Sequence, residues 1–229
     1  MVRQLTVISS MATRQILRDL ASAYERQTGI QVAVKSMGGV EAAKLIRAGE
    51  PADLIVLAAK VTGQLEAEGH ILPGSRADFA RSGIAIAIRA GAARPDIGDE
   101  EGVKRAILDA PKICYSSGPS GDHLKTLWDK WGIASAMADR AVQAPPGVPV
   151  ATFVARGEAD LGFQQLSELL DQPGIEVLGP LPDEIQSETI FTIGVSSTCA
   201  AADEARALTG YLTSPGVDAV KVRHGMRPV

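Results

Sequence analysis

The richest chemistry in this 229-residue chain lies in Ser116-Ser117-Gly118-Pro119-Ser120-Gly121, followed at once by Asp122 and His123. Ile113, Cys114 and Tyr115 before it read as a short buried strand. Leu124, Leu127, Trp128 and Trp131 after it fall on one helical face. A strand feeding a glycine loop feeding a helix is a way to hold an anion. The first N–H groups of a helix lack internal partners and sit at the positive end of its dipole. Glycines such as Gly118 and Gly121 let the backbone approach, and Ser117 and Ser120 add hydroxyl donors. His123 falls in the first turn of a helix that starts near Ser120, where it either packs or exchanges a proton with a bound carboxylate. The same order also describes an ordinary βα connection with Ser120 as helix N-cap.

The elements that must position these residues alternate along the chain. Leu5–Ile8 reads as a strand, Ser9, Ser10 and Met11 as a turn, and a helix starts at Ala12 or Thr13 with Ile16, Leu17, Leu20 and Tyr24 on one face. Ile30–Val34 is a second strand, and Gly38-Gly39 precedes a helix over Val40–Ala48. Leu54–Leu57 is apolar enough for a strand buried on both faces, and Val61–Glu68 is a helix. This order implies a parallel sheet flanked by helices, whose ligands bind beyond the carboxyl ends of the strands. Ser9, Ser10, Met11, Gly38 and Gly39 therefore share one rim.

Further on, strands are expected at Gly83–Ile88, Ala159–Phe163, Ile175–Leu178 and Thr189–Val195, and helices at Glu100–Asp109, Ile133–Arg140, Val150–Arg156, Ser167–Leu170, Ala201–Leu212 and Gly216–Arg223. Gln164 and Gln165 sit at the C-terminal end of the strand Ala159–Phe163. The strands Gly83–Ile88 and Thr189–Val195 bracket the middle third. They suggest two α/β lobes, 1–82 plus 195–229 and 83–194, with the cleft between them; one continuous open sheet is the alternative.

Composition sets limits. A net charge of −4 argues against nucleic acid as the main partner, and 4% aromatic residues leave little for a base-stacking platform. No apolar run reaches membrane-spanning length, so no membrane insertion is expected. Cys114 and Cys199 lie far apart on apolar segments and read as small buried residues. No P-loop, GxSxG elbow, HExxH or CxxC occurs, so neither a metal nor a cofactor is expected. The start MVRQLTVISS passes almost directly into a strand pattern, which places the chain in the cytoplasm as it stands, or in the periplasm if an export signal has been removed.

The runs LTVISSMATRQILRDLASAYERQTGIQV and GGVEAAKLIRAGEPADLIV resemble the type II periplasmic binding-protein family. So do GPSGDHLKTLWDKWGI, ARGEADLGFQQLSEL, the GPLP loop and YLTSPGVDAVKVRHGM. Within it, the chain is most similar to the molybdate-binding proteins of ABC importers. The resemblance implies an α/β, two-lobed fold with two mostly parallel sheets flanked by helices and a hinge of two crossing strands. It also implies a small anion as ligand and, if the protein is exported, an ABC permease as partner. In the molybdate binders two serine hydroxyls, backbone N–H groups and a tyrosine hydroxyl hold the oxyanion. Here the first serine falls on Ala12, the second on Gly39 and the tyrosine on Gln165, while the donor loop Gly118-Pro119-Ser120-Gly121 persists. An oxyanion without those donors has its desolvation uncompensated. The Gln164 and Gln165 amides and the room at Ala12 and Gly39 suit an organic carboxylate better than molybdate. Arg14, Lys35 and Arg81 are the candidate countercharges. The expectation is a substrate-binding protein for a small organic anion. The alternative is a cytosolic isomerase, because the family neighbourhood includes an aconitate isomerase; His123 would then be the proton-transferring group.

Overall fold

In the computed structural model, which describes residues 4–229, strands and helices alternate from the first described residue. β1, Gln4–Ser10, leads through a 3-10 turn, Met11–Thr13, into α1, Arg14–Thr28. Gly29 ends α1 in the left-handed conformation, φ 74°, with its N–H on Glu25 O. β2 (Gln31–Met37), α2 (Gly39–Arg47), β3 (Leu54–Ala58), α3 (Ala59–Ala67) and β4 (Ala77–Arg89) follow. Then come α4 (Glu100–Asp109), β5 (Ile113–Tyr115), α5 (Pro119–Lys130), α6 (Ala134–Met137), β6 (Ala141–Gln143) and α7 (Val150–Ala155). β7 (Leu161–Gln165), α8 (Leu166–Leu169), β8 (Ile175–Pro180), β9 (Glu188–Val195), α9 (Ala202–Thr213) and α10 (Asp218–Arg223) complete the chain.

The molecule falls into two compact units. The first comprises the residues up to Ser82 together with Thr189–Val229, and the second Gly83–Glu188. Thr189–Gly194, expected with the second lobe, belongs with the first unit because β9 pairs antiparallel with β3, from Leu54 opposite Val195 to Ala58 opposite Phe191.

In the first unit the strand order is β2-β1-β3-β9-β4, with β1 parallel to both β2 and β3. One face of this sheet packs Leu5, Val7, Leu54 and Val56 against Ile16, Leu20, Leu208 and Leu212. The other packs Ile8, Ile55 and Leu57 against Ala42, Ile46 and Leu65. Helices thus cover both faces, which is why Leu54–Leu57 is apolar throughout.

In the second unit β5 runs parallel to β6 and β7, and β4 pairs antiparallel with β7 and β8. Ile86, Ile107, Leu124, Trp128 and Phe163 fill one face, while Cys114, Val150 and Val154 pack on the other. A Cβ on Gly162 would come within 2.6 Å of Val154 and 2.7 Å of Val150, so glycine lets α7 lie directly on β7.

The helix expected over Ile133–Arg140 shrinks to the single turn α6, and Ala141–Gln143 becomes a strand instead. Pairing with β5 overrides the helical propensity of this alanine-rich stretch. Arg140 then turns its guanidinium to the carbonyls of Ile107, Leu108 and Ala110, closing the end of α4.

Candidate functional site

Parallel strands end on the same side, so the carboxyl ends of β5, β6 and β7 form one rim of the second unit. Tyr115 stands in register with Gln143 and Phe163. Ser116 N donates to Phe163 O at 3.3 Å and begins the serine–glycine loop. The helix starts earlier than its apolar spacing predicts: Gly118 is the N-cap, with Pro119 in the first turn, and no side chain caps it. Ser120 is therefore not the cap. It lies inside the first turn, 1% exposed, with Oγ 2.7 Å from Ser116 Oγ, which also accepts from Gly118 N at 3.3 Å. Gly121 N and Asp122 N both return to Gly118 O, at 3.0 and 3.2 Å. Among the described residues, the Ser117 and Ser120 amides have no acceptor and are the donors available to an anion. Gly121 is where the helix presses on the strand: a Cβ there would stand 1.9 Å from Ser116 O and 2.9 Å from Tyr115 Cδ2. The Tyr115 ring meets Trp128 edge-on at 5.3 Å, bracing the loop from below.

His123 is half-buried with Nε2 2.8 Å from Ile185 O. A carbonyl only accepts, so Nε2 carries the proton of this contact. In the neutral ring Nδ1 is then the free acceptor. Gln164 and Gln165 sit at the C-terminal end of the strand as expected, and are the last two residues of β7. They point to opposite faces by strand alternation. Gln164 Oε1 accepts from Val150 N at 3.0 Å and so holds the first turn of α7; Gln165 is 3% exposed.

The first unit has a matching rim at the carboxyl ends of β1, β2 and β3. Ser9 and Ser10 are strand residues and not turn residues. Ser9 is fully buried, and its Oγ lies 2.7 Å from Ser36 Oγ, its in-register neighbour on β2. Ser10 Oγ accepts from Ala12 N at 3.2 Å and caps the 3-10 turn that carries Met11, and its carbonyl accepts from Thr13 Oγ1 at 3.1 Å. Ala12 is 5% exposed. Gly38 is the N-cap of α2 without a side-chain bond, and the space where a Cβ of Gly39 would stand is open.

Ser36 and the α3 start at Ala58-Ala59, which also lacks a side-chain cap, join this rim although neither was singled out from sequence. A serine breaking the apolar run just before Gly38-Gly39 was the available signal for Ser36. Ala58-Ala59 gives none.

The electrostatic setting is simple. Lys35 Nζ pairs with Glu50 at 2.7 Å on the surface. Arg81 exchanges both main-chain hydrogen bonds with Arg227, at 2.9 and 2.8 Å. Burial pushes the Cys114 thiol up to about 12, and Cys199 Sγ donates to Asp53 Oδ1 at 3.2 Å; neither is a poised nucleophile. Among the described residues no His/Cys/Asp/Glu group could hold a metal ion, and no helix is long and apolar enough to cross a membrane. A cavity of about 610 Å³ in the second unit lies at the opposite, amino ends of β5 and β7, against Pro111 and Leu161. Arg94 and Arg105 line it, paired with Glu176 and Asp96, and so do Arg89, Asp109 and Asp160.

Residues 5–227 match the family described as bacterial extracellular solute-binding protein. The chain is 37% identical to an aconitate isomerase of Pseudomonas sp, over all of this chain and 89% of that protein. It is 28% identical to the molybdate-binding protein ModA of Azotobacter vinelandii, over 91% of this chain and 84% of that one. Among solved structures, the periplasmic molybdate-binding protein of Azotobacter vinelandii superposes with a TM-score of 0.81 at 22% identity, covering 97% of this chain and 98% of that one.

Proposed function

The chain belongs to the bacterial extracellular solute-binding proteins, with the type II fold of the molybdate binders, and from that premise we propose that it binds a small organic carboxylate at these rims. The observation that carries the reading is the retained pair of amide donors at Ser117 and Ser120 on the rim of the second unit. Backbone amides suit any anion. The hydroxyls that would close tightly on a compact tetrahedral oxyanion are replaced by Ala12, Gly39 and Gln165, so molybdate loses donors while a larger carboxylate gains room. The family's extracellular character supports work outside the cytoplasm, in place of the cytoplasmic expectation, with an ABC permease as the partner for transport. Calorimetry against acetate, succinate, citrate, trans-aconitate and molybdate tests this. Micromolar binding of molybdate with no response to any carboxylate would overturn it.

A second reading is catalysis, favoured by 37% identity to an aconitate isomerase along the whole chain. A proton shift beside a carboxylate builds negative charge that fixed amides stabilise without moving. His123 Nδ1, with Nε2 held by Ile185 O, is the acid/base group of this reading. Proton NMR of cis- and trans-aconitate in deuterated water separates binding from turnover. Binding without isomerisation or exchange of carbon-bound hydrogen leaves transport as the function.

A further inference from the structure

Of the three candidate countercharges Arg14, Lys35 and Arg81, Arg14 alone makes no side-chain ion pair or hydrogen bond among the described residues. Lys35 is paired with Glu50, and Arg81 has interactions of its own. Arg14 opens α1 directly after the turn that Ser10 caps. It is half-buried, and among the described residues its guanidinium makes no ion pair or hydrogen bond. The first turn of α1 contains no acidic residue to neutralise it. A cation at that position also faces the positive end of the helix dipole, which disfavours it. An arginine there is a poor choice for the empty protein and a good one for a protein that takes up an anion.

We propose that Arg14 is a specificity-determining residue of the first unit's rim, pairing its guanidinium fork with one carboxylate of a di- or tricarboxylate ligand. The assignment rests on the carboxylate reading given above. Two parallel N–H···O bonds from a planar guanidinium match a carboxylate and hold it in one orientation, which a lysine ammonium does not. With a second carboxylate or a carbonyl at the start of α2, where Gly38 leaves the helix without a side-chain cap, such a ligand has need of both kinds of donor. A monocarboxylate does not, so the rim discriminates by charge number.

The test is calorimetry on the full chain with trans-aconitate, citrate and acetate. Arg14→Gln is expected to weaken trans-aconitate or citrate binding by about 10–100-fold, the range for a lost charged hydrogen-bonding partner. Arg14→Lys should restore part of the loss, and Lys35→Gln, the same charge change at a satisfied site, should bind as wild type does. Circular dichroism melts of the unliganded variants check that the fold is kept, and Arg14→Lys carries the comparison if Arg14→Gln does not fold. Unchanged affinity in a folded Arg14→Gln, or equal losses in Arg14→Gln and Lys35→Gln, overturns the assignment while the carboxylate reading stands. A wild type that binds no carboxylate at all overturns both.

Discussion

Ser9 Oγ lies 2.7 Å from Ser36 Oγ, side by side across β1 and β2, with Ser9 wholly buried and Ser36 half-buried. One O–H must fill this short contact. The fully enclosed Ser9 proton has only Ser36 Oγ or, at 3.4 Å, Ser10 O to receive it. When Ser9 donates to Ser36, the Ser36 proton is left for the rim. Ser36 is then the hydroxyl a ligand meets, and Ser9 orients it. Ser36→Ala is expected to weaken carboxylate binding by about 1–3 kcal/mol with little change in stability. Ser9→Ala should lower stability by about 0.5–1.5 kcal/mol. Calorimetry and urea melts on the two variants check the division; the opposite pattern would return the contact to Ser9.

Gly121→Ala sets a methyl group 1.9 Å from a backbone oxygen, which no side-chain rotation relieves. The end of β5 or the first turn of α5 must move, at roughly 1–3 kcal/mol or more. Because the Ser117 and Ser120 amides share that turn, binding should fall along with stability. Urea melts read the first and calorimetry the second. A variant with wild-type stability would show that α5 is not pressed on β5 as described.

How much of this was legible in the sequence divides by the range of the interactions. The β-α-β order and the apolar faces of α1 and α5 are local patterns, and they appear as expected, whereas the loop expected over Ser116–Gly121 shortens to Ser116–Gly118. The cap of α5 was misplaced by two residues, since a serine is the usual N-cap but Pro119 prefers the first turn and moves the start back to Gly118. The strand β6 was missed because three residues between an expected helix and a proline-rich link carry too short a pattern to read until β5 pairs with them. The Ser9–Ser36 contact and the Gln164–Val150 bond were invisible for a related reason: partners 27 and 14 residues apart leave no periodicity to read.

Cys114 supplies a pH dependence. Burial holds its thiol up at about 12 in the folded chain, against 9.0 for the ordinary group. The folded state therefore keeps a proton that the unfolded chain releases, and stability should be unaffected by this group below pH 9 and decline as pH rises toward 12. Denaturant melts across that window should show a shallower decline for Cys114→Ala than for wild type. Parallel slopes would place the alkaline instability elsewhere.

For the catalytic reading, His123→Gln is the informative change. Glutamine keeps an N–H for Ile185 O but has no group that takes up a proton. Turnover of aconitate, if present, should fall by about 10²–10⁴-fold with affinity nearly kept. Full activity in this variant would move the proton transfer to another residue.

The first unit is interrupted in sequence, and β9 lies between β3 and β4 in its sheet. During synthesis, residues up to Ser82 leave the ribosome with the place beside β3 empty. It stays empty until Val195, whose pairing opposite Leu54 closes the sheet, has been made. Meanwhile the uninterrupted second unit, Gly83–Glu188, has all its own strand partners in hand. The nascent chain thus carries an unpaired strand edge while the middle of the molecule folds, and such an edge favours mispairing. Arrested nascent chains ending before and after β9 should differ sharply in protease resistance of the first unit and little in that of the second.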